Sequence, residues 1–181
     1  ICHVAPGGKK CFAAFSGDVA PSALVHGAEI ELVSPEGTRR IPLADLYKND
    51  GMDHLKLSPG ELLVALHLPK ATAGIRSGYV KSRVRGSIDF PLAGAAVALT
   101  MQDGKLESLS IALTAVNPYP QLIKGTESYL GKTVDGDLLE DIRENVRKQA
   151  KPMKTTTVAP WYRRRVVGAL AQRIVARLAA D

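Results

Sequence analysis

The sequence predicts an α+β chain of two modules, each a small antiparallel sheet with helices, and three observations carry that reading. Short runs of alternating apolar and polar residues, separated by turn signals, recur in both halves of the chain. Residues 70–76, Lys-Ala-Thr-Ala-Gly-Ile-Arg, carry no apolar period and lie between those halves as a connector. Helical periodicity then takes over toward the C-terminus. The expected division is a first module over 1–69, the connector over 70–76, and a second module over 77–181. The second module is expected to be a three-stranded antiparallel sheet packed on a helical bundle.

Each element has its own warrant. Residues 1 to about 22 are rich in Gly, Ala, Pro and Ser and read as a loop entering a short helix, with Asp18 as N-cap and Pro21 in the first turn. Ala28 to Val33 alternates apolar and polar residues, and Arg39 to Leu43 is short and extended. Between them, Ser34-Pro35-Glu36-Gly37 has Pro at the second and Gly at the fourth position of a turn, which makes a hairpin. A further strand is expected from Glu61 to Leu68, closed by Pro69. Gly78 to Arg85 alternates across a sheet, and Leu92 to Met101 is a continuous small-apolar run. The Asp103-Gly104 pair joins that run to Leu106 to Thr114 as a hairpin. Helices are expected over 121–130, over 136–149 with the stripe Leu138, Leu139, Ile142 and Val146, and from Pro160 onward. In the last helix Val167, Leu170, Ala171, Ile174 and Leu178 recur at three- and four-residue intervals.

Composition narrows the classes. The chain has 181 residues, 45% hydrophobic and 23% charged, which suits a packed globular core and excludes a disordered tail or fibrous repeat. No apolar run approaches the roughly 18 to 20 residues of a membrane-spanning helix. Two cysteines exclude a disulfide framework and a zinc ribbon within the chain. The opening Ile1-Cys2-His3-Val4 has no Met and no signal-peptide pattern, and it reads as the start of a piece of something longer.

The formal charge is +6. Its densest run, Arg163-Arg164-Arg165 with Arg173 and Arg177, reads as a solvated helix face. Nucleic acid is a weak alternative, since aromatics make up only 5% of residues. Contact with an acidic protein surface is the other. His3, His26, His54 and His67 match no metal-ligand spacing, and no residue stands out as a catalytic nucleophile with its base. Three readings of Cys2 and Cys11 stay open: two reduced thiols, a disulfide, or half of the four ligands of an iron–sulfur cluster. Ser16-Gly17-Asp18 reads as a helix cap, or as backbone N–H groups and a carboxylate facing a nucleotide.

Three stretches in order sharpen these alternatives: Cys11 to Pro21 (CFAAFSGDVAP), Leu57 to Leu63 (LSPGELL), and Tyr79-Val80-Lys81-Ser82-Arg83 with Ser87 to Ala93 (SIDFPLA). Together with Tyr162-Arg163-Arg164 before the last helix, they resemble the FAD-binding (medium) subunit of the molybdenum hydroxylase, or xanthine dehydrogenase, family. Within it, Ile1-Cys2-His3-Val4, Gly7-Gly8 and Cys11 look most like the beta subunit of 4-hydroxybenzoyl-CoA reductase. The resemblance implies that Asp18 hydrogen-bonds FAD, with Ser16 and Gly17 beside it. It also implies that Leu63 packs on the flavin, that Lys81 lies next to the isoalloxazine, and that Cys2 and Cys11 are two ligands of a 4Fe-4S cluster.

The resemblance further implies a cytoplasmic electron-transfer subunit. Its partners would be a large molybdenum-cofactor subunit and a small subunit with 2Fe-2S clusters, and the reaction the reductive dehydroxylation of 4-hydroxybenzoyl-CoA. The related alternatives are the medium subunit of a carbon monoxide, aldehyde or xanthine dehydrogenase and, from another class, a non-catalytic docking module. Subunit docking then accounts for the basic balance better than nucleic acid does. The family's first FAD subdomain, with its glycine-rich pyrophosphate loops, has no counterpart in the sequence. The chain is therefore expected to match the second FAD subdomain and the C-terminal domain, and to bind FAD weakly or not at all by itself.

Overall fold

The computed structural model describes residues 2, 4–72, 74–86 and 88–180. It bears out the α+β class. The first helix, α1 (Val19–Val25), leads into a three-stranded antiparallel sheet of order β2-β1-β3, formed by β1 (Glu29–Ser34), β2 (Gly37–Pro42) and β3 (Leu62–His67). The expected turn pairs Ser34 with Gly37, and Gly37 takes a φ of 137° that a side chain would resist. Ile30 and Leu32 on the central strand are fully buried, while the edge strand β3 leaves Leu62, Leu63, Val64 and Leu66 exposed.

The second sheet has four strands in chain order: β4 (Arg76–Ser82), β5 (Ala93–Gln102), β6 (Lys105–Thr114) and β7 (Gln121–Leu122). Asp103 and Gly104 both have positive φ, 51° and 73°, as the tight hairpin between β5 and β6 requires. The helices α2 (Gly136–Gln149) and α3 (Pro160–Ala180) pack on one face, where Val97, Leu99, Ile111 and Leu113 meet Ile142, Val146, Val167 and Ile174. Ala96, Ala98 and Ala112 point the other way and join the core of α1, β1 and the short 3-10 helix Leu43–Leu46. Both faces of β5 are thus buried, which is why its sequence is a continuous apolar run instead of an alternation. On the α1 side the buried hydrophobic residues of β5 are both alanines, so the two layers can approach closely.

Three expectations are corrected. Residues 121–130 are not a helix: Gln121 and Leu122 pair with Leu113 and Ala112, and a 3-10 turn follows at Thr126–Tyr129. Pro118 and Pro120 lie in or just after a run of bends over 115–119 and disfavour a helix there, and Gly125, at φ 82°, turns the chain left-handed where a helix would have to run. The second sheet therefore has four strands, not three, and its helical layer is a pair. Next, β4 starts at Arg76, inside the expected connector, and stops at Ser82 instead of Arg85. The Asp89 carboxylate takes the Arg85 backbone N–H at 3.0 Å and closes a turn there.

The last correction concerns the arginine run. Arg163 is buried at 1% exposure, whereas Arg165 is exposed. Its guanidinium donates to the carbonyls of Leu92 (2.8 Å), Met153 (3.0 Å) and Ala115 and to the Thr155 hydroxyl (2.9 Å). It is a structural cross-brace among the start of β5, the end of β6 and the segment before α3. One of the four histidines, His3, lies outside the described residues, as does Ser87 of the SIDFPLA stretch.

Candidate functional site

The candidate site is built where three strands end side by side. Lys81, Gly94 and Thr114 stand opposite one another across β4, β5 and β6. Tyr79, two residues before Lys81, shares its face of β4, and Val80 turns to the helical core instead. Thr114 donates its hydroxyl to the Gly17 carbonyl at 2.9 Å and ties the chain before α1 over the sheet end. The Phe15 N–H to Asn117 carbonyl and Ala115 N–H to Phe15 carbonyl bonds, 2.9 and 2.7 Å, fix the same segment.

Asp18 is delivered there. It occupies the N-cap position of α1, yet its carboxylate makes no capping bond. Instead the Tyr79 hydroxyl donates to Oδ1 at 2.6 Å and the Lys81 ammonium donates to Oδ2 at 2.5 Å. Lys81 also donates to the Asp89 carbonyl at 3.0 Å. Partial burial acts to raise the Asp18 pKa, but the hydrogen bonds from Lys81 and Tyr79 and the Arg83 charge outweigh it, so the carboxyl sits below its ordinary value. Burial, reinforced by Asp18, raises the Tyr79 pKa and keeps the phenol a proton donor.

Asp89 organises the loop that supports Lys81. Its carboxylate accepts from the backbone N–H of Arg85 and of Phe90, at 3.0 and 2.9 Å, and from the Arg85 guanidinium at 3.2 Å. These bonds hold its pKa at about 2, against the ordinary 3.8. A carboxyl whose folded pKa is depressed stabilises the loop above its unfolded pKa and loses that contribution as pH falls through the folded value. The clamp is therefore expected to stay closed down to about pH 4 and to open as pH approaches 2. Carboxyl NMR should give Asp89 a midpoint near pH 2, and Asp89→Asn should show the low-pH loop signals at neutral pH; an ordinary midpoint would contradict the clamp.

Of the other expected site residues, Ser16 and Gly17 lie in the tethered segment beside Asp18. A Cβ at Gly17 would stand 2.7 Å from the tip of the Phe15 ring, so a larger residue there obliges that ring to shift. Leu63 lies on the other, three-stranded sheet: it faces Leu32 in register on β3 and is 42% exposed within an apolar strip. Cys2 and Cys11 line one cleft of about 710 Å³ with Gly7, Gly8 and Met52. Each sulfur accepts a backbone N–H at 3.4 Å, Cys2 from Ala5 and Cys11 from Ala13. The bonds from Ala5 and Val4 lower the Cys2 pKa, which favours the thiolate. Both cysteines are free, so the disulfide reading falls away. The Asp50 carboxylate fixes the Cys11 backbone by accepting its N–H at 3.0 Å.

Sequence reasoning did not single out Tyr79 as a partner of Asp18, nor Gly94 and Thr114. The period of the strand was a usable signal for Tyr79, since residues two apart share a face. No local signal marks Gly94 or Thr114, which matter only through the sheet register.

The residues present fit one wall of a flavin site. An ammonium has three N–H donors, and two of those on Lys81 are committed to Asp18 and Asp89, leaving one for an acceptor on a bound ring. With Asp18 at 2.5 Å, Lys81 presents a bound, oriented N–H more than a free positive charge. For a 4Fe-4S cluster the fit is partial: Cys2 and Cys11 supply two ligands, and no group of three or more His, Cys, Asp or Glu gathers for a metal among the described residues. Nor is any described helix long and apolar enough to cross a membrane.

Comparison with known proteins bears on the same residues. Residues 3–71 match the family described as FAD binding domain in molybdopterin dehydrogenase, and residues 78–178 match the CO dehydrogenase flavoprotein C-terminal domain. The carbon monoxide dehydrogenase medium chain of Afipia carboxidovorans is 32% identical over 156 residues, covering 85% of this chain and 53% of the relative. A xanthine dehydrogenase FAD-binding subunit of Escherichia coli O157:H7 is 24% identical over 176 residues, covering 96% of this chain and 60% of the relative. In structure, reconstituted CO dehydrogenase from Oligotropha carboxidovorans superposes with a TM-score of 0.83 at 30% identity, over 90% of this chain and 56% of that one. The chain thus spans little more than half the length of the relatives it matches.

Proposed function

The chain belongs to the FAD-binding medium subunits of the molybdenum hydroxylase, or xanthine dehydrogenase, family, and from that premise we propose that it forms one wall of a flavin site in an electron-transfer subunit. The observation that supports this most is the interlocked set of Asp18, Tyr79 and Lys81 on the sheet end, assembled from residues 61 and 63 apart in sequence. FAD, when bound, supplies the one- and two-electron chemistry. The residues of this chain do the rest. Lys81 offers its remaining N–H to an acceptor on the ring, Asp18 and the Asp89 carbonyl aim that N–H, and Tyr79 holds Asp18 in place. The exposed Leu63 strip supplies apolar surface for a ring to cover, which would exclude water from one side.

The partners are a large molybdenum-cofactor subunit and a small 2Fe-2S subunit, and the complex acts in the cytoplasm. For the reaction we take the 4-hydroxybenzoyl-CoA reductase branch, the reductive dehydroxylation of 4-hydroxybenzoyl-CoA. The support is that Cys2 and Cys11 share one cleft and each accepts a backbone N–H bond. The second reading is the medium subunit of a carbon monoxide, aldehyde or xanthine dehydrogenase, and the names of the relatives above favour its carbon monoxide and xanthine members. Iron in the anaerobically reconstituted complete subunit, lost in Cys2→Ser and Cys11→Ser, supports the first; a flavoprotein without iron supports the second.

The flavin reading has its own test. In the complete subunit, Asp18→Asn and Lys81→Met are expected to weaken FAD retention by about tenfold or more, because each removes a charge-assisted bond. Lys81→Met is also expected to shift the flavin midpoint potential. Unchanged FAD content and potential in both correctly folded variants would overturn the assignment.

A further inference from the structure

We propose that a second cleft, separate from the flavin wall, binds a small organic phosphate of nucleoside diphosphate size. It has a volume of about 460 Å³, within the usual range for small-molecule sites, and gathers Lys10, Lys124, Lys148 and Lys151 with Phe12 and Tyr119. The four lysines arrive from separate places: the N-terminal segment, the residues after β7, the last turn of α2, and the chain just beyond it. Among the described residues, no carboxylate lines the cleft.

Amide side chains fix the backbone of two of these lysines, Lys124 and Lys151. Gln149 clasps the Lys124 backbone, accepting its N–H at 3.0 Å and donating to its carbonyl at 2.9 Å. Asn145 donates to the same carbonyl at 3.1 Å. Asn117, buried at 6% exposure, accepts the Lys151 N–H at 3.1 Å and donates to Gln121. Asn117 and Gln149 thus brace the basic wall without contributing charge.

Two acids that feel the charge of these lysines are already engaged. Glu144, which feels the Lys148 charge, is held by the Arg147 guanidinium at 2.6 to 2.9 Å. Asp50, which feels Lys10, accepts the N–H groups of Cys11 and Met52 at 3.0 Å each. Four ammonium groups held around one concavity repel one another, and a multiply charged anion relieves that repulsion. A diphosphate matches the charge, and the Phe12 and Tyr119 rings give a planar base an apolar rim. The cleft's modest volume favours a small molecule over a protein segment, which needs a wider surface.

The complete subunit, loaded with FAD, should be titrated calorimetrically with ADP, pyrophosphate and adenosine. ADP is expected to bind, more weakly as salt rises, and more tightly than adenosine. Lys124→Glu with Lys148→Glu should weaken ADP by about tenfold or more while FAD content stays unchanged. Lys151→Gln, a milder change, should weaken it in the same direction if the double variant does not fold. No ADP binding at about 1 mM, or binding indifferent to these changes, would overturn the proposal. So would displacement of ADP by excess FAD, since the cleft would then belong to the flavin's own diphosphate. Binding of polyglutamate where ADP fails would make the cleft a protein-docking surface and sink the ligand assignment. FAD content, measured on every sample, separates failure here from failure of the flavin reading.

Discussion

Arg163→Met is expected to cost about 3 to 5 kcal/mol of unfolding free energy. Methionine fills much of the same volume, so the loss isolates the polar cross-brace. Three carbonyls and a hydroxyl accept from this one guanidinium, and removing it strands the Ala115 and Leu92 carbonyls away from water. Ala115 raises the stakes, because it holds a left-handed φ of 65°, unfavourable for a residue with a Cβ. The bonds from Arg163 to its carbonyl and from its own N–H to Phe15 hold it there. Urea denaturation with linear extrapolation measures the change, and a loss below about 1 kcal/mol would show that the brace is dispensable. Arg163→Lys should fall between, since an ammonium keeps the charge but cannot span acceptors spread around a planar fork.

Gly94→Val is expected to destabilise the fold by about 1 to 3 kcal/mol and to dismantle the site as well. A Cβ at this position would stand 2.6 Å from Thr114 Cγ2 and 2.9 Å from the Tyr79 hydroxyl. The backbone has little room to yield, because β5 is paired on both sides. Tyr79 must therefore leave Asp18, or Thr114 must release the Gly17 carbonyl. Denaturation reports the first effect and FAD content of the complete subunit the second. A variant as stable as the parent, retaining FAD fully, would mean that the close packing at the sheet end is not needed.

The strand and helix pattern was largely legible because it rests on local rules: alternation in β1 and β4, the Asp103-Gly104 hairpin, and the apolar stripes of α2 and α3. Asp18 and Lys81 came from resemblance, and the fold brings them to 2.5 Å of each other. The Arg163 brace was hidden because arginine on a helix reads as solvent-facing from sequence, and its acceptors are mainly backbone carbonyls, which no residue type announces. The β7 pairing was hidden for a related reason. Two residues of strand carry no period, and what makes them strand is the free edge of β6 beside them.

The alanine face of β5 has one more consequence. Slipping this strand by a single residue would drive Val97 and Leu99 into the thin seam against α1 and leave holes beneath the helices. Misalignment is thus vetoed sterically from one side and by lost packing from the other. The same veto keeps Gly94 between Lys81 and Thr114, and Ala96 opposite Tyr79, so the shape of the proposed flavin wall is enforced by the small residues of one strand.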